Sequence, residues 1–173
     1  SLVASLVATF AYFKSTLSKD TIDSGYWRKL GRYAFITEVI SVLAVFSILF
    51  YIIHGHLFEY HYAWKHSSRS LEFKYMLACF WEGQEGSFLL WAFWHVVLSL
   101  FIIKKGGIWE GPVMFTVGLV QVFLVSMVLG VTVLGYKLGT NPFVLLREHP
   151  DMANLPFVKF PDYLSRIEDG RGL

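Results

Sequence analysis

Three long apolar runs dominate this sequence and restrict the folds open to it. They cover residues 33–53, 87–103 and 113–134. A helix needs about 20 mainly apolar residues to cross the hydrocarbon core of a bilayer, and the shortest run reaches that length if it extends back into the polar residues before it. With 55% hydrophobic residues, the composition is typical of membrane proteins. The sequence therefore predicts an all-α integral membrane protein surrounded by membrane lipid.

The predicted domain boundary lies after the last apolar run. Residues 1–13 are apolar but too short for a full span, and we interpret them as the truncated end of a first helix. With the three full spans they form a predicted transmembrane domain over residues 1–135. Residues 136–173 hold four of the five prolines, which predicts an irregular loop outside the membrane that leads to a further part of the protein.

The distribution of charge predicts the orientation. Residues 14–32 and Lys104–Lys105 carry seven basic residues and only two acids. An excess of lysine and arginine marks the cytoplasmic side of membrane proteins. Residues 54–85 and 136–173 would then lie on the outer side. The net charge of +2 is too small to indicate a nucleic-acid partner.

A polar motif with mixed chemistry precedes the second full span. It runs from Trp81 to Trp91. Ser87 suits a helix N-cap, and acids near a helix start favour the positive end of its dipole. The glycines allow a backbone or a flat ligand to come close. The motif is interpreted either as a capped helix at the lipid–water interface or as a functional loop. Its candidate residues are Trp81, Gly83, Gln84, Glu85, Gly86, Ser87 and Trp91.

Two patterns precede this motif. From Phe58 to Trp64 aromatic residues alternate with other residues, which predicts an extended segment with an aromatic face. From Leu71 to Phe80 the apolar spacing predicts a short amphipathic helix in the membrane interface.

The polar residues inside the spans have two possible roles. Glu38 is interpreted as a carboxylate that snorkels to the interface or pairs with Arg32 there, or as an acid facing the bundle that moves protons or holds a ligand. Gln121 is expected to bond another helix. His95 shares a helix face with Phe88 and is interpreted as a neutral, hydrogen-bonded histidine or as a haem or quinol contact.

Histidines cluster in the predicted outer loop. They are His54, His56, His61 and His66. Because no carboxylate or cysteine stands at a convincing metal-ligand spacing, the sequence predicts no metal site. The one cysteine, Cys79, cannot form an internal disulfide.

The polar motif resembles the hallmark of the CcmF family, membrane proteins of cytochrome c biogenesis. The resemblance rests on Trp-x-Gly-Gln-Glu-Gly-Ser-x-Leu-Leu-Trp at residues 81–91 and extends to His66–Leu71, Asn141–Phe143 and Asp169–Leu173. It covers most of the chain from about Val45 onward. Glu82 stands where the family usually has glycine. The family's tryptophan-rich haem segment and its haem-ligand histidines are absent from this sequence.

This resemblance implies a role in handling haem and in attaching it covalently to apocytochrome c. The implied partners are apocytochrome c, a haem carrier protein and other cytochrome c maturation subunits. The cofactor would be haem, with ligands outside this chain, and the location a bacterial inner membrane with the motif on the periplasmic side. No residue is assigned as catalytic, and whether the chain is an enzyme with haem lyase activity stays open. Weaker candidate site residues are His66 and His95.

Two alternatives from other classes remain. One is a non-catalytic scaffold that docks the subunits of an assembly complex. The other is a membrane subunit that binds haem b or quinone and transfers electrons.

Overall fold

The structure is a computed structural model that describes residues 1–152 and 156–171. Helices make up most of this described part. They are α1 (Leu2–Leu17), α2 (Thr21–His54), α3 (His61–His66), α4 (Phe73–Glu82), α5 (Gln84–Lys105) and α6 (Glu110–Leu129). Helices α2 and α5, and α6 with the 3-10 turn before it, are long and apolar enough to cross a membrane. The predicted all-α membrane fold is therefore confirmed.

The chain divides into two compact units. The first, here called the membrane unit, comprises Ser1–Phe46 and Phe88–Leu129. The second, here called the loop unit, comprises Ser47–Ser87 and Gly130–Leu173.

Small residues bring α1 and α6 together in the membrane unit. Gly111 faces Thr16, and a Cβ atom added at Gly118 would overlap the hydroxyl group of Thr9. In lipid, helices associate mainly by close packing, which small residues permit. Between α5 and α6, the side-chain amide of Gln121 donates to the carbonyl of Ala92 at 3.2 Å. The expected interhelical bond of Gln121 is thus confirmed.

An ion pair between a buried carboxylate and a partly exposed arginine joins α2 to α6 in the same unit. Arg32 donates from Nε to Glu110 at 2.7 Å and from a terminal nitrogen at 2.5 Å. The hydroxyl of Tyr12 on α1 donates to the same carboxylate at 3.4 Å. The expectation that Arg32 pairs with Glu38 is therefore wrong, because Glu110 binds the guanidinium with both oxygens.

An apolar cluster forms the core of the loop unit. Its members come from the end of α2, the turn after it, α3 and the C-terminal segment: Ile52, Phe58, Ala63, Trp64, Leu146, Tyr163 and Ile167. Extended backbone before α3 is limited to a bridge between Tyr60 and Leu145. The prediction of an extended segment from Phe58 to Trp64 is wrong beyond this point. A strand would bury alternate side chains, whereas Tyr62, Ala63 and Trp64 are buried in succession.

A β-hairpin follows α6. Strand β1 (Val131–Val133) pairs antiparallel with β2 (Tyr136–Leu138). The helix ends at Leu129, earlier than the apolar run to residue 134 suggests, and Gly130 follows with a φ of 72°. Leu134 and Gly135 form the turn with φ values of 51° and 85°, as a two-residue turn of type I′ requires. The expectation of no regular structure from Tyr136 onward is therefore wrong at its start.

Candidate functional site

The polar motif forms the joint between α4 and α5. Helix α4 ends at Glu82, Gly83 adopts an extended conformation with φ −83° and ψ 158°, and α5 begins at Gln84. The expected short helix before the motif is present as α4. Because only Gly83, where the backbone bends, separates the helices, the motif is a corner and not an open loop.

Ser87 does not cap the N-terminus of α5. Its amide already donates to the carbonyl of Gly83 at 3.0 Å, which places Ser87 in the first turn. Its hydroxyl donates to the carbonyl of Trp81 at 2.8 Å. The last carbonyls of a helix lack partners within that helix, so Ser87 satisfies the end of α4. The N-cap expectation for Ser87 is wrong for this reason.

Tyr62 of α3 fills the corner between the two helices. Its hydroxyl donates to the carbonyl of Phe80 at 2.9 Å and accepts from the amide of Gly83 at 3.3 Å. The side chain is buried, and burial raises the pKa of Tyr62, so the hydroxyl stays protonated. Sequence reasoning did not single out this residue, since no local pattern connects it to the motif.

The two motif glycines make room for Tyr62. A Cβ atom at Gly83 would lie 2.5 Å from Cε2 of the tyrosine ring. At Gly86 it would overlap the carbonyl oxygen of Phe80 and the hydroxyl oxygen of Tyr62. The close approach that these glycines were expected to allow is thus made by the protein itself. We call Tyr62, Phe80, Gly83 and Gly86 the Tyr62 contact site.

Glu85 connects the motif to the segment after the hairpin. Its carboxylate accepts a hydrogen bond from the hydroxyl of Thr140. A cavity of about 270 Å³ lies beside this contact, and its polar lining includes Lys137, Glu148 and His149. Glu85 also stands in the first turn of α5, where the helix dipole favours a negative charge. A carboxylate at this position is therefore held by both a donor and the helix end.

Two histidines stack at the edge of this cavity. The rings of His61 and His149 lie 3.6 Å apart between centroids and 10° from parallel. Burial, together with the neighbouring His149, lowers the pKa of His61 to about 4. At neutral pH the His61 ring is therefore uncharged.

The other loop histidines lie apart from this pair. His66 lies under the ring of Tyr62 at 4.7 Å between centroids, and its Nδ1 is 3.6 Å from the Glu82 carboxylate. His54 is exposed at the end of α2, and His56 occupies a turn with a φ of 50°. Among the described residues, no three histidine, cysteine or acidic side chains are arranged to hold a metal ion.

The side chains of three candidate residues are exposed on the unit to which each belongs. Trp81 and Gln84 are exposed in the loop unit. In the membrane unit Trp91 is 59% exposed, and Leu98 on the same helix face is exposed as well. His95 on this face is half-buried, and its Nδ1 has no hydrogen-bond partner. The other motif residues, Gly83, Glu85, Gly86 and Ser87, are engaged in contacts within the loop unit.

Two distant stretches meet elsewhere in the loop unit. The Asp169 carboxylate accepts from the hydroxyl of Ser68 and from the amide of Arg69, each at 2.7 Å. These donors lower the pKa of Asp169. A Cβ atom at Gly170 would overlap the carbonyl of Ser67. Both stretches carry the resemblance described above, and the structure joins them.

Comparison with known proteins gives a likeness in fold. No family model and no curated protein sequence matches the chain. Among solved structures, "Cytochrome c Heme Lyase CcmF" superposes with a TM-score of 0.68 over 88% of this chain at 23% identity. The chain has a CcmF-like fold. It spans 24% of the length of that CcmF chain, and at this identity the likeness concerns the fold alone.

Proposed function

We propose that this chain is a membrane component of cytochrome c biogenesis that helps handle haem and attach it to apocytochrome c. The observations that support the proposal are the CcmF-like fold of the chain and the resemblance of its motif to the hallmark of that family. The motif that resembles the family's hallmark forms the α4–α5 corner and leaves Trp81 and Gln84 exposed beside it. Exposed tryptophan offers a flat apolar surface with one donor, which suits a planar ligand or a docking protein.

The histidines of the loop unit do not fit haem as a set of axial ligands. His61 is stacked on His149, His66 lies under Tyr62, and His54 and His56 belong to different local structures. In this proposal the haem ligands come from residues other than those described here. The contribution of the corner is to orient the partners that meet at its surface.

The proposed setting follows from the spans and the charges. The chain is an integral membrane protein, and we place it in a bacterial inner membrane with the motif on the periplasmic side. The basis is the excess of lysine and arginine in residues 14–32 and at Lys104–Lys105. The proposed partners are apocytochrome c, a haem carrier protein and other maturation subunits.

A non-catalytic scaffold is the second candidate, and a specific observation favours it. The motif glycines, Glu85 and Ser87 all serve contacts inside the loop unit. An apolar groove of about 510 Å³ also runs along α4 between Leu71, Tyr75 and Trp81. A protein whose corner only supports a docking surface would have these features.

Changing Glu85 to glutamine separates these two candidates. The Thr140 hydroxyl can still donate to the glutamine side-chain oxygen, so the variant removes the charge and keeps the contact. We expect c-type cytochrome to fall several-fold in cells that carry the Glu85→Gln protein at a normal membrane level. The measurement is haem staining of denatured membrane proteins, which detects covalently bound haem.

Glu72→Gln is the matched control, since Glu72 lies just before α4 and pairs only with the exposed Lys74 among the described residues. This control should mature cytochromes normally. Equal, normal staining in both variants would contradict a role for the Glu85 charge and would favour the scaffold.

A further inference from the structure

Arg28 of α2 has a buried N–H group without an acceptor. The residue is partly buried in the membrane unit, and its Nε atom has no hydrogen-bond partner among the described residues. No carboxylate in the described part of the chain forms an ion pair with its guanidinium. Nearly every buried polar group in a protein has a partner, so such a donor indicates a group from outside the chain.

The contacts around Arg28 place it on the face of α2 that packs against α1. Residues three or four positions apart lie on one face of a helix. Four residues before Arg28, Ser24 exchanges hydrogen bonds with Ser15 of α1 at 2.9 and 3.0 Å. Three residues after it, a Cβ atom at Gly31 would lie 3.0 Å from the ring of Tyr12. Arg28 therefore lies beside the α1–α2 contact.

The acids of the membrane unit do not neutralise Arg28. Glu110 accepts hydrogen bonds from two nitrogens of Arg32, one turn further along α2. Asp20 and Asp23, at the start of α2, are exposed and form no ion pair within residues 1–152 and 156–171. Because a guanidinium is always charged in proteins, Arg28 keeps a positive charge without a counter-ion from these acids.

The neighbours of Arg28 are typical of a membrane surface. Trp27 packs edge-on against Phe10 of α1 with 5.8 Å between ring centroids. The Lys14 ammonium group lies 5.8 Å from the centre of the same Phe10 ring, and Tyr26 is exposed. Tryptophan and tyrosine concentrate at the lipid–water interface, where lysine and arginine attract anionic headgroups. The chemistry that matches an unpaired guanidinium at such a surface is a lipid phosphate, whose oxygens can accept two parallel N–H bonds.

We propose that Arg28 is the binding site for the phosphate group of an anionic membrane phospholipid. The Nε–H and one terminal N–H of the guanidinium donate to two phosphate oxygens. Lys14, which shares the Phe10 ring with Trp27, adds positive charge and favours a lipid with net negative charge over phosphatidylcholine, whose headgroup also carries a cation. The bound lipid lies beside the α1–α2 contact. The site does not depend on the proposed role in cytochrome c biogenesis.

Native mass spectrometry of the whole chain tests this site. Protein in detergent is mixed with equal amounts of phosphatidylglycerol and phosphatidylcholine that carry the same acyl chains, and the lipids that stay bound are counted. We expect the wild-type protein to retain phosphatidylglycerol in preference. Arg28→Gln should lower this retention about five-fold, the effect of one basic residue at a membrane surface. Arg28→Lys keeps the charge but lacks the forked donors, so its loss should be intermediate.

Lys29→Gln is the matched control, since it removes the same charge from an exposed position next to Arg28 and should retain phosphatidylglycerol as the wild-type protein does. Circular dichroism checks that each variant is folded. Equal retention of the two lipids by the wild-type protein, or equal losses in Arg28→Gln and Lys29→Gln, would overturn the proposal. Inorganic phosphate in excess should not displace the lipid, and complete displacement would assign the site to free phosphate and contradict the lipid site.

Discussion

Replacing Arg32 with methionine should lower the free energy of unfolding by about 2 kcal/mol, which is less than the loss for a fully buried ion pair because the Arg32 side chain is partly exposed. Glu110 is 1% exposed, whereas the Arg32 side chain is 42% exposed. Without Arg32, Glu110 keeps only the 3.4 Å contact with Tyr12 and remains a buried charge without a counter-ion. The measurement is equilibrium unfolding in mixed micelles.

Replacing the other partner of the ion pair, Glu110, should lower the free energy of unfolding by less. Glu110→Met leaves Arg32 without its partner, but a partly exposed guanidinium can turn to water or lipid headgroups. The double variant Arg32→Met/Glu110→Met should be more stable than Arg32→Met alone, because no charge is left buried. Lys29→Met, at an exposed cation of the same helix, should change stability by about 0.5 kcal/mol at most. An Arg32→Met protein as stable as this control would refute the account of the ion pair.

Replacing Gly86 with alanine should destabilise the loop unit by about 3 kcal/mol, at the upper end of the usual cost of overpacking. The added Cβ overlaps the carbonyl oxygen of Phe80, which is backbone and cannot rotate away. The α4–α5 corner must then open, and the contact between Tyr62 and Gly83 is lost with it. Thermal unfolding and limited proteolysis of purified protein both report this opening.

A variant at Gly83 tests whether alanine is unfavourable in the Tyr62 contact site because of Tyr62 itself, or because the α4–α5 corner tolerates no alanine at all. The nearest atoms to a Cβ at Gly83 all belong to the Tyr62 side chain. A second change, Tyr62→Leu, should therefore relieve Gly83→Ala but not Gly86→Ala. Gly25→Ala in α2 is the control, since a Cβ there meets nothing within 4 Å and alanine is the better helix former. If Tyr62→Leu relieves neither substitution, contact with Tyr62 does not explain why glycine is needed at positions 83 and 86.

The membrane fold was predictable because its signal is local. Each apolar run identifies a span by length and composition, and α2, α5 and α6 lie where the runs predict them. The ends of the helices were harder to predict, because hydropathy indicates which residues lie in the membrane and not where a helix begins or ends. Helix α2 begins at Thr21 and carries its basic residues as part of the helix. The hairpin had a usable signal in the β-branched residues Val131–Val133 and the turn residue Gly135, but it was hidden by the apolar run.

The chemistry of the corner depends on contacts far apart in sequence. Glu85 and Thr140 are 55 residues apart, and Tyr62 and Gly83 are 21 apart. The motif indicated that its glycines permit a close approach, but nothing in its spacing identifies Tyr62 as the group that approaches. Likewise, the acid Glu110 precedes its span without any pattern that pairs it with Arg32.

The central claim is that this protein serves cytochrome c biogenesis, and its most direct test is the covalent haem content of cells that lack it. The account predicts that haem staining of c-type cytochromes disappears, while non-covalent b-type haem and apocytochrome synthesis persist. Re-expression of the wild-type protein should restore the staining. Normal c-type cytochromes in the deletion strain would contradict the account.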